Sequence, residues 1–347
     1  MPVTVIVGGQ FGSEGKGKVA HYLAREQCAT VAIRVGGANS GHTAIDATGT
    51  PRVFRVLPTP ALLKEVKCVI GAGSYIDVDV LLTEVEISQL PPEQLLIDPN
   101  AFVITDAHKD IENQWGLVER VGSTGSGTGA AVIERISRRS KNHLARHDPR
   151  LSRYTRLSVP DFLRSVLRRG EQVIVEGTQG FGLSLLHSQD YPKATSRDTT
   201  AGTFVAEAGV SPRDVSDVVL VLRAFPIRVA GDSGPLAHEI DWATVGREGG
   251  WSEGPVEYTS VTGKIRRVAR FDPSIVREAI NVNYPNVIVV NHADYFDRVA
   301  HDSKKPTEVV RKNIDKIEDL IDHQIDLIGL GPSSLCPRSD LVSKVLI

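Results

Sequence analysis

Five short runs of β-branched residues constrain the fold of this chain most strongly. The runs are mostly apolar and continuous rather than alternating, and they are Val3–Val7, Val31–Val35, Val173–Val175, Val218–Leu222 and Val287–Val290. Continuous runs are typical of strands that are covered on both faces. Stretches with helical patterning lie between them, at Lys16–Glu26, Val78–Ser88, Asp161–Arg169 and Pro306–Leu320. Strands that alternate with helices predict an α/β fold wound around a mostly parallel central sheet.

Two further segments refine this prediction. A hairpin is expected over Thr43–Val56, because the turn sequence DATG at positions 46–49 separates two apolar-rich arms. The irregular stretch Arg228–Thr262 is rich in Gly, Ser and Pro and precedes a basic motif, which is typical of an active-site loop; a linker is the alternative. Strand signals occur in both halves of the chain, so we predict a single large domain over residues 1–347.

Composition narrows the range of partners. The 347 residues carry a formal net charge of −2, which gives no reason to expect a nucleic-acid partner. No apolar stretch approaches the ~20 residues that span a bilayer, and the start MPVTVIVGG lacks the basic region of a signal peptide. The cysteines Cys28, Cys68 and Cys336 have no disulfide-like or metal-like spacing. We therefore expect a cytoplasmic protein with reduced thiols and no membrane partner.

A glycine-rich loop follows the first predicted strand and leads into the first predicted helix. Its sequence, GGQFGSEGKGK, spans residues 8–18. Glycines let the backbone aim its N–H groups at an anion, the helix N-terminus adds a positive dipole end, and Lys16 and Lys18 add charge. The loop therefore predicts phosphate binding. It is not a Walker A motif, because Gln10 replaces the first glycine and Gly17 replaces the Ser or Thr. A generic P-loop ATPase or GTPase is disfavoured.

The loop resembles the GDEGKGK signature of adenylosuccinate synthetases, with Ser13 in place of the family's aspartate. Further segments resemble motifs of that family in the same order along nearly the whole chain: NSGHT at 39–43 (NAGHT), GSTGSG at 122–127 (GTTGRG), EGTQG at 176–180 (EGAQG), YPKATS at 191–196 (YPYVTS), VTGKIRR at 261–267 (TTGRRRR) and VVNHAD at 289–294 (TKLD). The family joins L-aspartate to the 6-position of a purine nucleotide at the expense of a nucleoside triphosphate. The resemblance implies the same reaction class here.

The resemblance implies a catalytic centre at the glycine-rich loop. His42 corresponds to the family's general acid beside the purine 6-oxygen, a role that suits an imidazole because its ordinary pKa lies near neutrality. Lys16 would stabilise the transferring γ-phosphoryl group, and Ser13 stands at the position of the family's catalytic aspartate. In the family, that aspartate and a glycine carbonyl bind Mg²⁺, which implies a magnesium cofactor at Ser13 and Gly41. A structural histidine is the plain alternative for His42.

The same resemblance implies three binding subsites and a homodimer. The purine monophosphate would contact Ser13, Asn39, Ser123, Thr124, Arg138, Gln179 and Thr195, with Arg138 contributed across the dimer interface. The triphosphate donor would contact Gly12, Glu14, Gly15, Lys16, Gly17, Gly41, His42, Thr43, Asn291, Asp294 and Gly331. L-aspartate would contact Val261, Thr262, Gly263, Lys264 and Arg266, where Arg266 offers a bidentate fork to a carboxylate. Solvent-exposed basic residues are the plain alternative for Arg138 and Arg266.

Ser13 departs from the family pattern in a way that bears on the substrate. The family's aspartate removes the N1 proton of IMP, which an unassisted serine is too weakly basic to do. Three interpretations follow: an inactive enzyme, an enzyme with another base, or an enzyme with a changed substrate. We favour the changed substrate, because a shorter side chain leaves room for the 2-amino group of guanine beside N1. The serine hydroxyl can also accept a hydrogen bond from that group, which favours discrimination.

The same substitution marks the phage branch of the family, the 2-aminoadenylosuccinate synthetases, which act on dGMP in making 2,6-diaminopurine DNA. This implies that dGMP, L-aspartate and a triphosphate give N6-succino-2-amino-2′-deoxyadenylate, in a host cytoplasm if the chain is phage-encoded. His292 replaces the lysine of TKLD, which favours ATP or dATP as donor. Retained Asp294 favours GTP instead, because a carboxylate pairs well with guanine N–H groups. Glu14, a water held by Ser13 and the substrate are the candidates for accepting the N1 proton.

Two alternative functions stay open at this point. An ordinary adenylosuccinate synthetase would use IMP and GTP, and Ser13 would then have no part in choosing the purine. A non-catalytic regulator would bind purine nucleotide but would release no phosphate when aspartate is added. Phosphate release with dGMP, GMP and IMP separates these alternatives.

Overall fold

The five β-branched runs of the sequence are neighbouring strands at the centre of one large sheet. The computed structural model describes residues 2–139, 142–155, 158–259 and 263–341. Over these residues the chain forms sixteen strands: β1 (Val3–Gly8), β2 (Val31–Arg34), β3 (His42–Ile45), β4 (Pro51–Phe54), β5 (Lys67–Ile70), β6 (Tyr75–Asp77), β7 (Leu95–Ile97), β8 (Phe102–Ile104), β9 (Val173–Glu176), β10 (Val215–Arg223), β11 (Ile227–Arg228), β12 (Glu239–Ile240), β13 (Arg267–Ala269), β14 (Val287–Asn291), β15 (Leu327–Gly329) and β16 (Leu335–Pro337).

The same described residues form eleven α-helices between and beyond these strands. They are α1 (Lys16–Glu26), α2 (Val78–Ser88), α3 (Asp106–Gln114), α4 (Leu117–Val121), α5 (Thr128–Ser137), α6 (Val159–Arg168), α7 (Ala201–Ala208), α8 (Trp242–Glu248), α9 (Pro273–Asn283), α10 (Arg298–Ser303) and α11 (Glu308–Ile321). The four helices predicted from the sequence correspond to α1, α2, α6 and α11. In the described part of the chain, no helix is both long and apolar enough to cross a membrane.

Nine strands form the central sheet in the order β16-β15-β14-β10-β1-β9-β2-β5-β7. All neighbouring pairs are parallel except β15 and β16, which are antiparallel at one edge. The five predicted runs are β14, β10, β1, β9 and β2, which are consecutive in this order. Strands from the two halves of the chain therefore share one sheet, and the predicted α/β fold is confirmed.

Burial on both faces explains why the central strands are continuously apolar. All six residues of β1 are buried. Val5 and Val7 belong to the large core on one face, whereas Ile6 packs on the other face with Val19 and Leu23 of α1. Successive side chains of a strand point to opposite faces, so a strand covered on both sides needs apolar residues at every position.

Close approach of α1 to β3 depends on a glycine. A Cβ atom at Gly17 would lie 2.8 Å from Thr59 Cγ2 and 2.9 Å from His42 Cβ, inside van der Waals contact. Gly15, the residue before α1, has a φ of 87°, which L side chains rarely adopt. These two glycines let the loop end tightly and bring α1 against the strand that carries His42.

The hairpin prediction is confirmed, and the irregular stretch is more ordered than predicted. Strands β3 and β4 pair around a turn in which Asp46 Oδ1 accepts the backbone N–H groups of Thr48 and Thr50, each at 2.9 Å. Within Arg228–Thr262, however, α8 begins after Asp241, whose carboxylate accepts the Thr244 N–H at 2.7 Å. A helix of seven residues is too short to show a clear apolar period in the sequence. Residues 260–262 lie outside the described part of the chain.

Candidate active site

Two cavities open beside the glycine-rich loop and share one wall. The larger cavity has a volume of about 320 Å³, and its lining includes Gly15 and Gly17 of the loop. Its lining also includes Asp294 and His301, which follow β14 and define what we call the far end. The smaller cavity has a volume of about 130 Å³, and its lining includes Gln179. Five residues line both: Ser13, Lys16, Gly41, His42 and Arg266. A group transferred between ligands in the two cavities would pass these residues.

The buried carboxylate of Glu14 stabilises the conformation of the glycine-rich loop. Glu14 Oε1 accepts the backbone N–H groups of Gln10 and Gly12 at 3.2 and 2.8 Å. Its other oxygen lies 2.7 Å from Lys16 Nζ, and both side chains are buried. Lys16 also donates to the carbonyl of Gln179. Glu14 is therefore occupied in shaping the loop and fixing Lys16, and its side chain does not line either cavity.

Ser13 is positioned through its backbone. Its φ of 57° lies in the left-handed region, where Asn and Asp are tolerated better than most side chains. Its carbonyl accepts a hydrogen bond from Arg223 Nη1 at 2.7 Å. Within the described residues its hydroxyl makes no hydrogen bond, and its side chain is exposed to the cavities. A short, free hydroxyl is thus presented where the two cavities meet.

A buried ion pair holds the ring of His42. Glu176 Oε1 lies 2.6 Å from His42 Nδ1 and 2.6 Å from Arg34 Nη1. Thr59 donates its backbone N–H and its hydroxyl to Glu176 Oε2, each at 2.8 Å. Arg34 Nη1 also contacts His42 Nδ1. Nδ1 therefore has an acceptor in Glu176 when it carries a proton and a donor in Arg34 when it does not, so Nε2 is the ring nitrogen left for a ligand.

The pKa values at this cluster follow from burial and charge. Burial, and then the charge of Arg34, lower the pKa of His42 to about 3. Burial alone would raise the pKa of Glu176, but the hydrogen bond from His42 and the Arg34 charge outweigh it and lower that pKa to about 2. At neutral pH the site thus holds a neutral imidazole beside an ionised carboxylate. Such an imidazole acts as a hydrogen-bond donor or acceptor and carries no charge of its own.

A second buried carboxylate organises the basic motif. Glu257 Oε2 accepts from Arg266 Nη1 at 2.7 Å, and Oε1 accepts from the Tyr295 hydroxyl at 2.9 Å and contacts Arg223. Burial would raise the pKa of Glu257, but the charges of Arg223 and Arg266 help to lower it to about 2. Burial, and then the charge of Arg223, hold the pKa of His292 well below its ordinary value. Arg266 is therefore fixed at the wall between the cavities.

The far end of the larger cavity is formed where β14 ends. Asn291 Nδ2 donates to the Glu14 carbonyl at 2.8 Å, which ties this end to the glycine-rich loop. Lys18 Nζ donates to the Gly331 carbonyl at 2.9 Å. Burial lowers the pKa of Lys18 to about 8, although Asp294 acts to raise it. Charged and polar groups therefore line this end in a fixed arrangement.

Most of the predicted site residues line these cavities. The predicted triphosphate contacts Gly15, Lys16, Gly17, Gly41, His42, Thr43, Asn291, Asp294 and Gly331 line the larger one. The smaller one is lined by Gly12, Ser13, Asn39, Ser123, Thr124, Gln179, Lys264 and Arg266. Thr124 Oγ1 is buried and, in the described part of the chain, has no hydrogen-bond partner. A buried hydroxyl without a partner favours a ligand at that position.

Other predicted residues do not line either cavity. Arg138 follows α5 on an exposed surface, and Gly263 and Thr195 lie outside both linings. The backbone N–H of Thr195 donates at 2.7 Å to the carbonyl of Leu183, which does line the smaller cavity. Val261 and Thr262 fall outside the described residues. The predicted roles of these residues stay predictions.

The sequence interpretation assigned no role to Arg34, Glu176, Arg223 or Glu257. The first three share a signal, because each ends a buried central strand with a charged residue. In open parallel sheets, ligands bind at the carboxyl ends of the strands. Charged residues that end apolar runs are therefore candidates for a site. Glu257 lies in an irregular segment and has no comparable signal.

One cluster away from the cavities contains residue types that bind metals, but the position of a ring proton does not suit a metal. In the described part of the chain, ligand atoms of His108, Glu134 and His143 lie within 4.8 Å of one another. His108 Nδ1 accepts the backbone N–H of Thr105 at 2.9 Å, so the ring proton is on Nε2, which lies 2.6 Å from Glu134. A metal would need the lone pair of that nitrogen. His108 and Glu134 therefore form a hydrogen-bonded contact between α3 and α5, and His108 has no free lone pair for a metal.

Comparison with known proteins identifies the family to which the chain belongs. The sequence profile of the adenylosuccinate synthetase family matches residues 5–151 and 141–301. The adenylosuccinate synthetase of Methanocaldococcus jannaschii is 36% identical over 336 residues, which cover 95% of this chain and 94% of that protein. The enzyme of Archaeoglobus fulgidus is 34% identical over 339 residues, 96% of each chain.

Two solved structures resemble the fold over nearly its whole length. The succinoaminodeoxyadenylate synthetase of cyanophage S-2L, solved bound to dGMP and to dATP as an energy donor, has a TM-score of 0.82 at 31% identity and covers 98% of this chain and 97% of its own. The fully ligated adenylosuccinate synthetase of Plasmodium falciparum has a TM-score of 0.83 at 20% identity and covers 97% of this chain and 100% of its own, a likeness of fold alone. The family profile and the identity to its members show that this chain belongs to the adenylosuccinate synthetase family of ligases.

Proposed function

We propose that this ligase joins L-aspartate to C6 of dGMP and consumes ATP or dATP, giving N6-succino-2-amino-2′-deoxyadenylate, nucleoside diphosphate and phosphate. The observation that carries the proposal is Ser13, a serine at the family's aspartate position whose free hydroxyl lies where the two cavities meet. The cyanophage structure, bound to dGMP and dATP, supports the choice of both nucleotides.

Serine at position 13 suits a purine with a 2-amino group. The backbone there is fixed by Arg223, so side-chain length decides how much of the smaller cavity is left for the base. An aspartate would project further into a cavity of about 130 Å³. The serine hydroxyl leaves that space to the base and offers an acceptor to an amino group. A polar group matched in this way can discriminate strongly against a substrate that lacks the partner.

The proposed phosphoryl transfer takes place at the shared wall. The triphosphate binds in the larger cavity with its phosphates on the loop and on the N-terminus of α1, where backbone N–H groups and the helix dipole favour anions. The γ-phosphoryl group moves to the 6-oxygen of the purine, and Lys16, held by Glu14, stabilises the charge that develops. His42 donates a hydrogen bond from Nε2 to the 6-oxygen, while its unprotonated Nδ1 accepts from Arg34, which Glu176 holds in place.

The second step replaces phosphate by aspartate. The amine of L-aspartate attacks C6, the C6–O bond breaks, and phosphate leaves with the former 6-oxygen. Arg266 and Lys264 line the smaller cavity and supply cations for the aspartate carboxylates. Thr124 and Ser123, together with Arg138 of a second copy of the chain, are the proposed contacts of the 5′-phosphate. Glu14 is occupied by two loop N–H groups and Lys16, which favours a water at Ser13 or the substrate itself as acceptor of the N1 proton.

The residues at the loop fit a magnesium ion only together with substrate phosphates. The Ser13 hydroxyl and the Gly41 carbonyl are hard oxygen ligands, whereas the nearby carboxylates of Glu14 and Glu176 are bonded to cations. Mg²⁺ is commonly held by few protein groups plus phosphate oxygens and water. When bound there, the ion supplies neutralisation of charge on the transferring phosphoryl group. Ser13 and Gly41 would be its protein ligands.

The proposal is tested by phosphate release with Mg²⁺, ATP and aspartate, comparing dGMP, GMP and IMP, with the product identified by mass. We expect release with dGMP to exceed that with IMP by at least about tenfold. Release with IMP alone would overturn the dGMP assignment, and release with no purine would indicate a nucleotide-binding regulator.

Ser13→Asp sharpens this test. We expect this variant to lose dGMP turnover and to gain IMP turnover, because it restores a carboxylate at N1 and fills the space for the 2-amino group. Ser13→Asn is the matched control, since it has the size of aspartate without its basicity. Both side chains tolerate the left-handed backbone at this position. Loss of dGMP turnover without a gain with IMP in either variant would show that Ser13 does not choose the purine.

An ordinary adenylosuccinate synthetase that uses IMP is the second candidate. The names of the Methanocaldococcus and Archaeoglobus relatives favour it. In that enzyme, Ser13→Asp would raise IMP turnover and leave any dGMP activity intact.

A further inference from the structure

The far end of the larger cavity contains a buried carboxylate with one oxygen bonded and the other free. Asp294 is only 2% exposed. Its Oδ2 lies 2.6 Å from His301 Nδ1. Its Oδ1 is buried and, in the described part of the chain, has no hydrogen-bond partner. A buried acceptor without a donor costs free energy, so this end of the cavity is built to receive a donor from a ligand.

This end lies where the base of a bound triphosphate belongs. The glycine-rich loop lines the same cavity through Gly15 and Gly17. A nucleotide whose phosphates lie on the loop would therefore place its base toward Asp294 and His301. Lys18 and Gly331 also line this cavity, and Lys18 Nζ donates to the Gly331 carbonyl.

A hydrogen bond and a ring contact fix the orientation of the His301 imidazole and place a proton on its Nδ1. An ionised carboxylate only accepts hydrogen bonds, so Nδ1 must donate to Asp294. The imidazole packs against Trp251, with ring centroids 4.7 Å apart and an interplanar angle of 59°. With Nδ1 protonated, a neutral His301 has an acceptor at Nε2. The cavity end thus offers two acceptors, Asp294 Oδ1 and His301 Nε2.

Two separate hydrogen-bond acceptors match the 6-amino group of adenine better than they match the N1–H and 2-amino edge of guanine. The 6-amino group of adenine has two N–H donors and can satisfy both. Guanine has an oxygen at position 6, and its N1–H and 2-amino groups pair best with both oxygens of one carboxylate. His301 already uses one of these oxygens. A site whose polar groups are left unpaired by the wrong ligand discriminates against it.

We propose that His301 determines the specificity of the donor-base site and selects 6-aminopurine triphosphates by occupying the Asp294 oxygen that guanine would need. The inference rests on the proposed function, because it takes the larger cavity as the triphosphate site. It assigns to one residue the preference for ATP or dATP over GTP, which Asp294 alone would not give.

The test compares kcat/KM for ATP and GTP, at saturating dGMP and aspartate, in the wild type and two variants. His301→Leu removes the N–H that occupies Asp294, whereas His301→Asn keeps an N–H near the position of Nδ1. We expect the wild type to prefer ATP by at least about tenfold, His301→Leu to lower that ratio by at least about tenfold, and His301→Asn to stay near the wild type. Purine riboside triphosphate, which lacks the 6-amino group, should bind the wild type weakly.

Other outcomes separate the two proposals. A wild type that prefers GTP, or a ratio that His301→Leu leaves unchanged, overturns the role of His301 while dGMP turnover stands. If no purine monophosphate supports phosphate release, the proposed function fails. Calorimetric titration of the wild type and His301→Leu with ATP and GTP then decides the base preference on its own, and equal affinities in both proteins would overturn it.

Discussion

Glu176→Gln is the most informative single perturbation of the buried cluster beside His42. Glu176 is fully buried and accepts from Arg34 and from both the backbone and hydroxyl of Thr59, while its Oε1 lies 2.6 Å from His42 Nδ1. The amide has nearly the same shape but no charge, so it leaves the Arg34 cation buried without a counter-ion. Breaking a buried pair in this way costs about 3–5 kcal/mol. At roughly 2 °C per kcal/mol for a chain of this size, we expect Tm to fall by about 6–10 °C.

The same change should affect catalysis more than stability alone would. Without the carboxylate, Arg34 loses the acceptor that directs its Nη1 toward His42 Nδ1, so Nε2 is no longer fixed toward the proposed purine. A positioned acid–base group contributes typically 10²–10⁴-fold, and we expect kcat to fall by at least about 10²-fold. The assays are thermal melting and phosphate release at saturating substrates, measured at a temperature at which the variant remains folded.

Glu84→Gln is the matched control for loss of a buried carboxylate. Glu84 is 5% exposed and accepts the backbone N–H groups of Val56 and Leu57 at 3.0 and 2.8 Å, away from both cavities. It should lower Tm while leaving kcat within about threefold of the wild type, because nothing that it holds touches the ligands. If Glu176→Gln behaves like Glu84→Gln in both measurements, Glu176 has a structural role and the proposed positioning of His42 is wrong.

Two further predictions concern acid stability and the second subunit. The pKa of His42 is about 3 in the folded chain and ordinarily 6.5, so as the pH falls the unfolded chain protonates this imidazole first. The free energy of unfolding should therefore fall by up to roughly 1.4 kcal/mol per pH unit as the pH drops below about 6.5. Glu176, lowered from 4.5 to about 2, adds a fall below about pH 4.5. Urea unfolding of the wild type and His42→Asn checks both, because the variant should lose the part that begins near pH 6.5 and keep the share of the Glu176 part that the Arg34 charge provides. Arg138→Ala and His42→Asn should each be nearly inactive alone, yet an equal mixture should recover about a quarter of wild-type activity if Arg138 acts across a two-fold interface. No recovery, with dimer exchange shown by native mass spectrometry, would mean that Arg138 acts within its own subunit, whereas full activity of Arg138→Ala alone would place Arg138 outside the site.

The central sheet could be predicted because each of its strands is marked by a short stretch of consecutive residues in the sequence. Each of the five continuous apolar runs reports burial on both faces, and β1 shows why: Val5 and Val7 face one core and Ile6 the other. Short elements carry too few residues for a period to show, so α8 inside the irregular stretch was missed. The edge strand β16 was missed for the same reason.

The site was predictable through its motifs but not through its ion pairs. The motif match named His42 and Lys16, yet it gave no reason to connect His42 with Glu176, which lies 134 positions away in the chain. Glu257 meets Arg223 and Arg266 only because the sheet and the segment after α8 bring them together. Which cation a carboxylate will meet is decided by tertiary structure, so residue type and spacing do not contain it.

These ion pairs also explain why a change of substrate could occur at Ser13. Lys16 is paired with Glu14, Arg34 with Glu176, and Arg266 with Glu257, so replacing any one of these residues leaves a buried charge alone and damages the fold together with the chemistry. The Ser13 hydroxyl makes no hydrogen bond within the described residues, and only its backbone is used by the network, through Arg223. The side chain at this position can therefore change at little cost in stability. The proposed purine preference would thus be set at a position that the network leaves free, while the proposed phosphoryl-transfer groups around it stay fixed.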